Sequence, residues 1–189
     1  MDEAWFMESL QGHFLISTRQ MPDPRFQEQV IYLCAHNDEG AMGLVVNNPS
    51  REITLLDVLH GAGLPVPENL MPSVYIGGPV GTDSGFILYA AEKAGHASLD
   101  VADNVYLSRD MQLLEEIARG KGPEDYLFLL GYAGWGPGQL ETELMDNGWL
   151  TVPAGKEILF HTADENKWKM AAFRYGIDIS VFGDVIGYA

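Results

Sequence analysis

Apolar positions along this chain fall into short runs in its first half and then alternate with helical patterns in its second. Residues 12–17 (GHFLIS), 29–36 (QVIYLCAH) and 41–47 read as strands. The turn residues NDEG at 37–40 predict an antiparallel hairpin between the last two. Asn48 and Pro49 end the third run. A short helix is expected over 54–59, with Thr54 and Asp57 as a capping pair and Gly61 and Gly63 beyond it. Strands are expected at 73–77 and 85–90, flanking the turn Gly77-Gly78-Pro79, and again at 104–107. Ser108 is placed as the cap of a helix whose Met111, Leu114, Ile117 and Ala118 share a face.

The most apolar run, 126–132 (YLFLLGY), leads into the glycine-rich stretch 131–138 (GYAGWGPG). A run that apolar suits a buried strand, and glycines let the chain turn where side chains would clash. From Gln139 onward Leu140 and Leu144 mark one helical face, with Glu141, Glu143 and Asp146 elsewhere. The expected unit is therefore a core strand, a tight turn over 131–138 and an exposed helix start. Residues 158–161 read as a further strand. Asp164 is then expected to cap a last helix carrying Trp168, Ala171, Ala172 and Tyr175 at i, i+3, i+4 and i+7. Hairpin neighbours early and strand–helix alternation late predict an α+β fold with a mixed sheet, in a single domain over residues 1–189.

Composition narrows the function classes. The chain carries 27 acids against 11 Lys and Arg, for a net charge of −16. Phosphate backbones repel such a field, so direct nucleic-acid binding is disfavoured. The longest basic cluster, Lys167, Lys169 and Arg174, shares its helix with Asp164 and Glu165. With Cys34 as the single cysteine there is no intramolecular disulfide, the amino terminus lacks signal-peptide character, and no apolar stretch reaches membrane-spanning length. A cytoplasmic protein with no membrane association is expected.

Candidate chemistry is sparse. The stretch Gly134-Trp135-Gly136-Pro137-Gly138-Gln139 sits between a strand and a helix, as a dinucleotide loop would. Gln139 nevertheless stands where the third glycine belongs, and Pro137 removes a backbone donor. Cys34 lies in an apolar strand, and His36, two residues on, is expected to share its face and could activate the thiol. Burial of Cys34 as a small hydrophobe is the plainer reading. The five histidines have no ligand-type spacing, so no metal site is expected, and with no P-loop and a poor dinucleotide match no cofactor is expected either. Asn47, Asn48, Gly78, Trp135, Gln139 and Glu141 are the candidate recess, with Trp135 either a packing plug or an exposed platform.

The segments SLQGHFLIS, DPRFQEQVIYLCAHNDEGAMGLVVNNP, GGPVGTDSGFILY, LLEEIARGKGP, LGYAGWGPGQLETE and NGWLTVPA together resemble the YqgE/AlgH family of bacterial proteins. The resemblance runs in order from Leu10 to the closing Gly187-Tyr188-Ala189. It implies an α+β domain with an irregular, bifurcated sheet, located in the cytoplasm, with no known cofactor and no established catalytic residue. Some members carry a transcriptional-regulator label. Family members often show Arg and His where this chain has Ser84 and Tyr89, and His where Tyr188 stands. The expected function is a small-molecule- or protein-binding, regulatory module rather than an enzyme. The alternatives are a transcriptional regulator acting through a partner, or an enzyme using Cys34 and His36 or acids such as Glu141 near the glycine turns.

Overall fold

A computed structural model describes residues 8–67 and 72–182. The strands are β1 (His13–Ser17), β2 (Val30–Asn37), β3 (Gly40–Val45), β4 (Pro49–Thr54), β5 (Ser73–Ile76), β6 (Val80–Ala90), β7 (Leu99–Ala102), β8 (Val105–Ser108), β9 (Tyr126–Trp135) and β10 (Trp149–Pro153). The helices are α1 (Leu55–Gly61), α2 (Met111–Ala118), α3 (Gln139–Met145) and α4 (Asp164–Phe173), with a π-helical turn at Glu157–His161. The main sheet runs β10-β1-β2-β3-β9-β6-β8-β7, and β4 and β5 branch from it. This is an α+β architecture. Among the described residues one ladder, β5 on β9, is parallel, which makes the sheet mixed.

The branch point is β9. Its first half lies between β5 and β6, with Phe128 paired to Val74 on one side and Ile87 on the other. Its second half leaves β5 and pairs with β3, Trp135 opposite Ala41. Gly131, at φ 74°, makes the change of partner feasible. Before it, Leu127 and Leu129 point into the largest core cluster and Phe128 into a second. After it, Ala133 and Trp135 point into a third, across the sheet from the first. Strand parity alone would keep odd residues on one face, so the left-handed glycine acts as a bulge and inverts it.

The glycines of this stretch are approached by backbone. A Cβ on Gly78 would stand 2.1 Å from the carbonyl carbon of Tyr132, and one on Gly77 would stand 2.5 Å from the Gly131 oxygen. The turn Gly77-Gly78-Pro79 therefore packs directly on β9. The expected turn over 131–138 is correspondingly shorter. The strand continues through Gly131 and Gly134 to Trp135, because β3 offers it a ladder, and only Gly136, Pro137 and Gly138 turn the chain.

The α4 helix and the π-helical turn cover one face, burying Trp168, Ala171, Ala172, Ile158 and Leu159 against the largest cluster. On the other face α3 covers the β1–β3 arm through Leu140, while α1 and α2 cover the β5, β6 and β8 arm. Residues 158–161 are thus helical, not the expected strand. Consecutive Ile158 and Leu159 enter the same cluster, which a helical turn permits and a strand does not.

Several further elements differ from expectation. Strands β4, β7 and β10 add edges that no long apolar run announced. Asp110, not Ser108, caps α2, accepting from Gln112 N at 2.9 Å. Asp164 does not cap α4 and instead accepts from Lys167 and Tyr75. The Thr54–Asp57 capping box is present as expected. Gly187-Tyr188-Ala189 lies outside the described residues. Among the described residues, no helix is long and apolar enough to cross a membrane.

Candidate functional site

The residues that converge most closely lie where β9 ends and α3 begins. Trp135 is 8% exposed and acts as a plug. Its indole N–H donates to Glu143 Oε2 at 2.8 Å, and the indole N–H of Trp149 donates to the same oxygen at 2.9 Å. The two indoles meet edge to face with centroids 6.3 Å apart, and Phe26 extends the wall against Trp149 at 5.9 Å. Local structure dictates this clamp. Glu143 sits one turn after Gln139 on α3, and β10 returns directly, bringing Trp149 beneath the helix. Gln139 closes the corner, accepting from Gly136 N at 3.0 Å and donating to Glu143 Oε1 at a long 3.4 Å.

Around this clamp is a recess of about 240 Å³, lined further by Met21, Pro79 and Val80 and by Asp23 and Arg25. Asp23 and Arg25 pair with each other at 2.7 Å, and the guanidinium holds the Asp23 carboxyl below its ordinary range. That leaves Glu143 as the acid without a cationic partner. Its Oε2 is saturated by two indoles, whereas its Oε1 has, among the described residues, only the long Gln139 contact.

The candidate recess residues separate into two groups. Trp135 and Gln139 line the recess, and Gly78 forms the backbone contact just behind Pro79. Asn47 is structural, accepting from Val30 N and donating to Glu28 O, both at 3.0 Å. Asn48 is exposed, and its carbonyl accepts from Ile76 N. Glu141 lies elsewhere on α3 and binds His36 Nε2 at 2.6 Å, which holds the Glu141 carboxyl below its usual range. Glu143 and Trp149 are the members that sequence reading missed. The signal available was an acid four residues after Gln139, between two tryptophans.

Cys34 and His36 do not form a pair. The β2–β3 register shifts between Leu33 and Ala35, and this bulge inverts the alternation just where the two residues were expected to share a face. Cys34 joins the largest cluster, with its Sγ donating to Tyr32 O at 3.7 Å, and burial pushes the thiol far up. His36 turns to the opposite side. Leu10 N donates to its Nδ1 at 2.9 Å, so its proton sits on Nε2 and is donated to Glu141.

Lys167, the first member of the basic cluster with Lys169 and Arg174, is 1% exposed and so presents no charge at the surface. Its ammonium donates to Val46 O at 2.7 Å and to Asp164 at 3.0 Å, over the Tyr75 ring. Burial lowers its pKa against the pull of Asp164. This buried network fastens α4 to the sheet.

A larger apolar cavity, about 320 Å³, opens between α1 and α2 over Ile87, Leu114 and Phe128. Its Asp110 is taken up by capping α2 and by His96, and its Arg109 stacks on Phe86. Fewer polar groups converge there than at the tryptophan clamp. Among the described residues, no group of three or more His, Cys, Asp and Glu could hold a metal ion.

Comparison with known proteins places this geometry in context. The sequence profile described as AlgH-like matches residues 14–180. A UPF0301 protein of Desulfotalea psychrophila is 49% identical over 181 residues, covering 96% of this chain and 95% of its own. The solution structure of the AlgH protein from Pseudomonas aeruginosa superposes with a TM-score of 0.75 at 41% identity, covering 97% of this chain and 100% of that one. A crystal structure from Corynebacterium diphtheriae, at 20% identity and a TM-score of 0.74, covers 93% of this chain and 92% of its own and shares the fold.

Proposed function

This chain belongs to the AlgH-like family, and on that premise we propose that it is a binding module whose recess beside β9 and α3 takes a cationic group. The group is an amine or guanidinium on an apolar stem. The observation that carries this reading is the state of Glu143. Its Oε2 anchors two indole N–H groups, and its Oε1 is left with one long contact inside an aromatic recess. A carboxylate oxygen with spare acceptor capacity in a largely apolar recess favours a cation, through charge and charge-assisted hydrogen bonding. The net charge of −16 attracts such ligands over a longer range.

A volume of about 240 Å³ suits one side chain or a small amine. The bearer is therefore either a small molecule or a side chain presented by a protein partner. Any regulatory role, including one on transcription, would run through that partner, because the charge opposes direct contact with nucleic acid. The separation of Cys34 from His36 supports a non-catalytic reading, as does the engagement of both His36 ring nitrogens. The lone buried cysteine is compatible with a reducing, cytoplasmic setting.

A thermal-shift comparison tests the reading, since a ligand selective for the folded state raises the melting temperature. Argininamide, agmatine and phenethylamine should raise it, and acetate and benzoate should not. Equal responses to both sets, or none to the cations, would contradict the proposal.

A further inference from the structure

The other face of the sheet carries a third cavity, at the opposite end of the β1–β10 ribbon from the tryptophan clamp. It measures about 340 Å³ and lies between the start of β1, the β7–β8 turn and the segment joining β10 to the π-helical turn. Tyr32 forms part of its wall. This side chain is 2% exposed, its ring packs edge to face on Phe14, and its hydroxyl makes no hydrogen bond among the described residues. The phenol oxygen is not sealed in the core but opens on the cavity, where it is placed to donate to a group bound there.

The charged groups at this cavity are unpaired as well. Arg174, Lys156 and Asp103 all line it, and none forms a salt bridge with a described residue. Glu157, the other acid there, is occupied by His161. Two of the three groups are placed by local backbone. Asp103 and Asn104, at φ 43° and 63°, form the two-residue turn of the β7–β8 hairpin, which fixes Asp103 at the rim. The Arg174 guanidinium lies on Gly155 so closely that a Cβ there would stand 2.4 Å from Nη1. Tyr175 donates to Pro153 O at 3.0 Å and ties the end of α4 beside it.

We propose that this cavity is a separate binding site for a small zwitterion of the amino-acid class. The carboxylate is received by Arg174, Lys156 and the Tyr32 hydroxyl, and the ammonium by Asp103. Two cations and one acid that line the exposed rim of one cavity without pairing match a ligand carrying both signs better than a simple anion, which Asp103 would repel. Burial foremost, then the neighbouring Cys34 and the acids Asp103 and Asp100, raise the Tyr32 pKa, so the phenol stays protonated and donates to the carboxylate.

Calorimetric titration with the common L-amino acids, their N-acetyl derivatives, acetate and inorganic phosphate tests this site. At least one free amino acid should saturate below about 10 mM, and its N-acetyl derivative should bind more weakly. Tyr32→Phe should weaken binding about tenfold, the loss of one hydrogen bond to a charged group, with an unchanged melting midpoint. Arg174→Gln should weaken it further, and Asp103→Asn should remove the preference over the N-acetyl form. No saturation by any amino acid would overturn the proposal. So would phosphate or acetate binding as tightly as the amino acids, or affinity indifferent to both Tyr32→Phe and Arg174→Gln.

Discussion

Trp135 gives its indole N–H to Glu143 at 2.8 Å, so the tryptophan that ends the central strand is held by the helix that follows it. The same carboxylate oxygen holds Trp149. Strand β9, helix α3 and strand β10 are thereby locked through a single acceptor.

Removing the plug should be costly. Trp135→Ala is expected to lose about 3–5 kcal/mol, the usual range for deleting a buried large aromatic. Glu143→Ala should cost about 1–3 kcal/mol for each indole N–H left without an acceptor. Glu143→Gln, which keeps an amide oxygen there, should lose much less. Urea melts of the three variants measure this, and a near-wild-type midpoint for Trp135→Ala would show that the ring is not a plug.

Gly78→Ala should destabilise by more than about 2 kcal/mol, because the new methyl would collide with the Tyr132–Ala133 peptide and not with a movable side chain. Gly63→Ala is a useful contrast. It has positive φ but open space, so only backbone strain of roughly 1 kcal/mol is expected. Equal midpoints for the two would count against direct backbone packing at Gly78.

His96 bridges Glu116 and Asp110, each at 3.0 Å, and these carboxylates raise its pKa, Glu116 foremost. A raised histidine pKa stabilises the fold fully below the unfolded value near 6.5, and that stabilisation fades as pH rises through the folded value. The stability gap between wild type and His96→Gln should therefore be larger at about pH 5.5 than at about pH 9. Denaturant melts at both pH values check it, and a gap that does not change would rule out the charged bridge.

Cys34 should resist thiol reagents in the native state and react at once after denaturation, since burial keeps the thiol protonated. Rapid native labelling at neutral pH would reopen a redox role.

Much of this fold is legible in the chain. The apolar run of β9, the NDEG hairpin between β2 and β3 and the Thr54–Asp57 capping box each carry their own local signal. What the sequence hides is parity. The bulge between Leu33 and Ala35 and the left-handed Gly131 each invert a strand face, and neither leaves a mark that alternation can detect. Simple alternation therefore puts Cys34 and His36 on one face, though the bulge turns them to opposite sides. Residues 158–161 were similarly ambiguous, because four apolar-rich residues fit a strand or a helical turn equally well. In the recess, Trp135 and Gln139 stood out through the glycines around them. Glu143 and Trp149 become partners only once α3 has turned the chain back, and no local spacing shows that.

The proposal that the tryptophan recess binds a cation rests on one carboxylate, and calorimetric titration of argininamide into wild type and Glu143→Gln tests it most directly. Wild type should bind saturably, more weakly as salt rises, and Glu143→Gln should lose most of that affinity while melting near the wild-type midpoint. Undiminished binding by a folded Glu143→Gln protein, or no binding by wild type, would contradict it.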